Sequence, residues 1–166
     1  MSSLELPSVT SARAADIVGL GYEGFRSYLK RGLLGRTGML PGFHAPGSDS
    51  FDDPAPRAGW KRFGATDLCL MRVAKILMDH GFNFTQASSI VSRHKLWSDI
   101  QHSDAPVDRY LMVWPPYADH IFYELSDLHH LPRDLQALSA EGPVTLVNIG
   151  DVQRYVAAEL TSADPS

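Results

Sequence analysis

The sequence predicts a mainly α fold with a small α/β appendage at its C-terminal end. Three observations carry this expectation. Apolar residues recur at helical spacing in four segments before residue 96. Glycines stand at the ends of the first three of those segments, where helices stop. After Leu96 the pattern changes to short β-rich runs bounded by Pro and Gly. At 166 residues the chain is one domain, or one small domain with an appendage. Its apolar runs are too short for a membrane span. Its N-terminus lacks the basic segment and apolar core of a secretory signal. The single cysteine, Cys69, excludes an internal disulfide framework and a Cys-only metal site. A cytoplasmic protein without a membrane partner is expected.

The elements follow in order. Residues 11–18 read as a helix, with Ser11 as a cap and alanines favouring the helix. The chain turns at Gly19–Gly21. A second helix runs over about 22–31, with Tyr22, Phe25 and Leu29 as its inward stripe. Gly32 ends it as a left-handed cap, and Leu33 folds back on Tyr28. Residues 35–59 are rich in Gly, Pro and acid and read as an extended excursion. An aromatic and basic strand is expected at 60–63. A helix capped by Thr66 or Asp67 then reaches about Asp79, apolar around much of its circumference and therefore central. Gly81 ends it. Asn83 and Gln86 form a capping box for a helix over about 84–95. Beyond it, 109–116 reads as a strand, 118–128 and 132–142 as short helices, and 144–149 as a strand. Asp151 caps a last helix whose Val152, Tyr155, Val156 and Leu160 face inward.

Charge divides the chain. Residues 1–95 hold 12 Lys/Arg against 8 Asp/Glu, a net of +4. Residues 96–166 hold 3 against 11, a net of −8. A basic first half attracts polyanions such as DNA, and the alternative is uneven solvation of an ordinary surface. Two helices joined by a tight glycine turn, the second basic on one side, form a helix-turn-helix pattern.

A longer string gives that pattern a context. Ala15, Gly19 and Leu20 are followed by Phe25, Arg26, Tyr28, Gly32, Leu33 and Leu34. Then come Gly59, Trp60, Lys61, Arg62 and Phe63, next Asp67 and Leu68, and finally Gly81, Phe82 and Phe84. In this order, across about 12–93, they resemble the winged helix-turn-helix domain of the MerR family of bacterial transcription regulators. The resemblance implies a DNA-binding domain at 1–95 with a wing enlarged near 36–58. It also implies a homodimer on promoter DNA, bent and untwisted between promoter elements. Gly21 replaces the family's small hydroxyl cap, and Lys61 stands where its wing has Arg. The family's long dimer-forming helix is ruled out here by Pro106, Pro115 and Pro116. The acidic α/β region at 96–166 is therefore expected to serve dimerisation, a protein partner such as RNA polymerase, or an effector. A strand at 109–114 or at 144–149 would pair two chains.

The candidate DNA contacts are Tyr22, Glu23, Arg26, Tyr28, Lys30, Arg31, Trp60, Lys61 and Arg62. Tyr22 and Glu23 lie where a recognition helix meets base edges; Glu can accept from a cytosine amine. The resemblance makes Arg26 a phosphate ligand, the alternative being an ion pair within the domain. Tyr28 either contacts DNA or packs under Leu33. Lys30 and Arg31 reach phosphates or simply solvate the surface. Trp60 stacks on sugar-phosphate or anchors the wing, and Lys61 and Arg62 meet phosphate or the minor groove. Gly24 costs about 1 kcal/mol of helix propensity relative to Ala. It allows close approach either to DNA or to the first helix. Trp114, Tyr117, Phe122 and Tyr123 either line a small-molecule pocket or form core.

No cofactor or metal is expected. His129 and His130 are adjacent, with diverging side chains, and read as surface histidines. Cys69 reads as buried and inert. No Gly-x-Ser-x-Gly elbow is present, and no enzyme is expected. The function expected is a sequence-specific, cytoplasmic (nucleoid) transcription regulator acting on double-stranded DNA. The rival is an adaptor that keeps the winged fold and docks on polymerase, a phage factor or another regulator.

Overall fold

The computed structural model describes residues 8–33, 62–102, 108–138 and 142–162. The excursion at 35–59, and Trp60 and Lys61, lie outside the described residues. The described chain is mainly helical with a small sheet. None of its helices is long and apolar enough to cross a membrane.

A short strand β1 (Val9–Thr10) leads into α1 (Ser11–Val18), and α2 (Tyr22–Lys30) follows across a three-residue turn. The cap of α1 is Thr10, one residue before the expected Ser11, and its side chain accepts from the Arg13 N–H. Gly19 has φ of 85°, and Leu20 N–H donates to Ala15 O at 2.9 Å. Gly32 repeats this ending for α2, with φ of 88° and Leu33 N–H on Tyr28 O at 3.0 Å. Leu33 is fully buried, so each turn both stops a helix and seats the next apolar residue.

β2 (Arg62–Phe63) pairs antiparallel with β1. α3 (Ala65–Asp79) begins behind Gly64, so the expected cap at Thr66 or Asp67 is corrected. Asp67 sits in the first turn and accepts from the Gly64 N–H at 2.9 Å. Leu68, Leu70, Met71, Val73, Ala74 and Leu77 are all buried, which makes α3 the core helix. Cys69 is buried there too, and desolvation first, then Asp67, push its thiol up to about 12.

The Asn83–Gln86 capping box is present, yet α4 (Phe84–Val91) stops four residues before the expected 95. Arg93 is extended, and a further helix α5 (His94–Gln101) starts after it. This break lets Leu96 and Ile100 reach the core alongside Ile90 and Val91.

β3 (Arg109–Val113) matches the expected strand in type. The helix expected over 118–128 is instead β4 (His120–Glu124) followed by a 3-10 turn at Leu125–His130. Pairing explains the difference. β4 lies antiparallel to β3, Leu111 opposite Phe122, and Tyr117 N–H closes the connection on Trp114 O at 2.7 Å. α6 (Leu131–Leu138) follows, and β5 (Thr145–Asn148) joins the other edge of β3. The order β4-β3-β5 leaves β3 central, so 109–114 cannot pair two chains. α7 (Ile149–Ser162) is capped by Asn148, whose side chain accepts from Asp151 N–H, rather than by Asp151. Val152 and Val156 are buried as expected, but Tyr155 is exposed.

One hydrophobic core runs through both halves, from Ala14 and Phe25 through α3 to Val147, Val152 and Val156. Polar bonds reinforce the junction. Arg13 Nη2 on α1 meets Glu159 Oε2 on α7 at 2.8 Å. Arg72 on α3 donates to Ile17 O at 2.9 Å and stacks on the Tyr155 ring at 3.7 Å.

Asp67 is buried, and desolvation pushes its carboxyl up to about 6 against the lowering effect of the Gly64 bond. A folded value above the unfolded 3.8 means that stability is fullest below 3.8 and is lost as pH rises through about 6. Asp67→Asn keeps an acceptor for Gly64 without the buried charge. Urea titrations across this range are expected to show the variant about 1–3 kcal/mol more stable at neutral pH. Its stability should also lack the wild-type decline.

Candidate nucleic-acid interface

α2 divides cleanly into two sides. Phe25 is fully buried and meets the Phe63 ring edge-on at 5.4 Å, which fixes α2 against β2. Leu29 is buried one turn later. Tyr28 is half-buried, with its ring 5.4 Å from Phe84, so it packs within the domain. The expected inward stripe is corrected at Tyr22, which is 41% exposed. As the first helical residue it projects beyond the core that Phe25 and Leu29 reach.

The other side of α2 carries Glu23, Gly24, Ser27 and Lys30, all exposed. Arg26 lies half-exposed between the two sides. One of its terminal nitrogens, Nη1, is 3.4 Å from Glu23 Oε1, and its guanidinium stands 5.8 Å from the Tyr22 ring centroid. Its Nε is buried and has no hydrogen-bond partner among the described residues. An exposed pair of this kind contributes little to stability. A phosphate offers the guanidinium a stronger, charge-assisted partner.

The remaining cations differ in how they are held. Lys30 is exposed and has no ion pair among the described residues. Arg31 stacks on the Phe84 ring at 3.8 Å and so ties the end of α2 to the start of α4. Arg62 donates to Ser8 O at 2.7 Å and to Ser8 Oγ at 3.2 Å, bracing the β1–β2 ribbon. Of the three wing candidates, Trp60 and Lys61 lie outside the described residues. Tyr22, Glu23, Arg26 and Lys30 are therefore brought onto one accessible helix, while Tyr28, Arg31 and Arg62 also hold the fold.

Gly24 does not pack against α1, one of its two expected reasons. Among the described residues a Cβ built there meets nothing within 4 Å, and the same is true of Gly21.

Two other sites were not foreseen. His120 is buried; its Nε2 is 3.1 Å from Asp99 Oδ2 and its Nδ1 is 3.5 Å from Arg93 Nη1. Because Arg93 can only donate, Nδ1 accepts and Nε2–H donates to Asp99. Burial lowers the His120 pKa, and the neutral ring fits this arrangement. Arg93 also donates to Tyr117 O at 2.6 Å, so the group fastens the β3–β4 connection to the α4–α5 junction. The only sequence signal was a histidine leading an apolar strand. A cleft of about 640 Å³ lies beside β5, lined by Arg72, His80, Leu146, Asp151 and Tyr155 among others.

The aromatics expected as pocket or core do not line this cleft. Tyr117 packs on Phe82 at 5.2 Å, Phe122 meets His120 at 5.3 Å, and Tyr123 donates to Asp134 at 2.8 Å. The His129 and His130 rings lie 3.8 Å apart rather than diverging. No metal-ligating group of three occurs among the described residues.

No family model matches the chain, and no curated protein matches it.

The two cations at the end of α2 are expected to separate on substitution. Arg31→Ala loses the stack on Phe84 and should cost about 0.5–2 kcal/mol in urea unfolding. Lys30→Ala should stay within about 0.5 kcal/mol of wild type.

Proposed function

We propose that the protein is a sequence-specific DNA-binding transcription regulator that reads double-stranded DNA with α2. The observation that carries this reading is the exposed side of that helix. Tyr22, Glu23, Gly24, Ser27 and Lys30 face solvent, while Phe25 and Leu29 are buried in the core and Tyr28 packs at its edge on Phe84. Among the described residues Arg26 has a weak surface pair with Glu23 and lies near the Tyr22 ring. Such a helix can enter a major groove without disturbing what stabilises it. In this reading Tyr22 and Glu23 meet base edges, and Arg26 and Lys30 meet phosphates. Trp60, Lys61 and Arg62 belong to the wing of a MerR-like winged helix-turn-helix domain. The protein acts in the nucleoid as a homodimer on a pseudo-palindromic site. Since β3 is central, of the two expected strands the one near 144–149 is left to pair two chains, and its outer edge, like that of β4, has no strand partner among the described residues.

Enrichment of bound chromosomal fragments identifies the site, and fluorescence anisotropy at several salt concentrations measures the contacts. Affinity is expected to fall steeply with salt. Arg26→Ala combined with Lys30→Ala should reduce the log–log salt slope by roughly two, about one for each phosphate contact removed. Salt-independent binding, or an unchanged slope in the double variant, would overturn the reading and favour the adaptor.

A further inference from the structure

Nothing among the described residues requires position 24 to be glycine. Glycines at 19 and 32 stand at φ of 85° and 88°, where a side chain is strained. Gly24 lies inside α2 with ordinary helical backbone, which any residue adopts. Among the described residues nothing lies where its Cβ would stand, and it is exposed. An alanine there would favour the helix, because glycine is the poorer helix former. The fold is therefore weakened at this position without a packing gain.

Gly21 stands three residues earlier, near the same side of the helix start, and is equally open. Together they leave the first turn of α2 with a patch of bare backbone, bordered by Tyr22 and Glu23 and by Arg26 one turn on. A bare patch beside polar and cationic side chains suits a flat, polar, anionic surface that must come closer than a Cβ allows.

We infer that Gly24 is a specificity-determining position, the point where the α2 backbone approaches the base edges of duplex DNA. The inference rests on the regulator reading above. A Cβ at 24 holds the first turn away from the bases, so Tyr22 and Glu23 lose their reach. Phosphate contacts by Arg26 and Lys30 tolerate that displacement, because long flexible side chains follow it. Gly24 thus matters to specific binding and little to non-specific binding.

The test is Gly24→Ala in the full chain. Thermal unfolding is expected to rise by roughly 2–4 °C. Affinity for a chromosomal fragment enriched by the wild-type protein is expected to fall about tenfold or more. Affinity for a random-sequence duplex of the same length should change less than about twofold. Gly24→Ser, with one atom more, should lower specific affinity at least as much. Equal losses on both duplexes overturn the inference, as does unchanged specific affinity. A variant less stable than wild type also overturns it, since the glycine would then serve the fold. If the wild-type protein shows no salt-dependent DNA binding, the regulator reading itself fails, and the inference falls with it.

Discussion

Everything in this fold answers to the need to cover α3. A helix apolar around most of its circumference is stable in water only when neighbours enclose it. α1, α4, α5 and α7 all pack on it. Two of these come before residue 92, one spans the junction and one lies at the far end of the chain. The basic and acidic halves are consequently joined by a common interior. Arg72 repeats that logic in polar form. It satisfies carbonyls at the end of α1 while its guanidinium lies over Tyr155 of α7.

The same constraint positions α2. Its neighbours α1 and β2 are already committed to the core, so α2 is held along one stripe by Phe25 and Leu29, with Tyr28 packed on Phe84 beside them. A helix anchored along a narrow stripe keeps the rest of its surface open. Charge follows the same division: Arg31 and Arg62 brace neighbouring elements, whereas Lys30 and the outer side of Arg26 stay accessible. His120 and Arg93 hold the hairpin to the helical part by a set of hydrogen bonds suited to a neutral imidazole.

The first half was legible because its signals are local. Gly19–Leu20, Gly32–Leu33 and Gly81–Phe82 each end a helix through bonds within a few residues. The Asn83–Gln86 box is equally local. The second half was harder because sheets are specified by distant partners. Ile121, Phe122 and Tyr123 suit a helix or a strand until Arg109–Val113 is placed beside them. The break at Arg93 reflects where Leu96 and Ile100 must go, which no local signal announces. For the candidate interface, the exposed side of α2 could be read from spacing except at Tyr22, which spacing placed inward. The engagement of Arg31 by Phe84 and of Arg62 by Ser8 could not, since each joins segments more than fifty residues apart.

Cys69 has a practical side. The chain's one thiol is enclosed by the core helix, and its raised pKa leaves almost no thiolate at neutral pH. Maleimides and disulfide reagents therefore find little to react with in the folded protein. A cysteine introduced on the open side of α2, for instance at Ser27, would be the only fast-reacting thiol. A dye or spin label could then be placed beside the proposed reading surface without first removing the native residue.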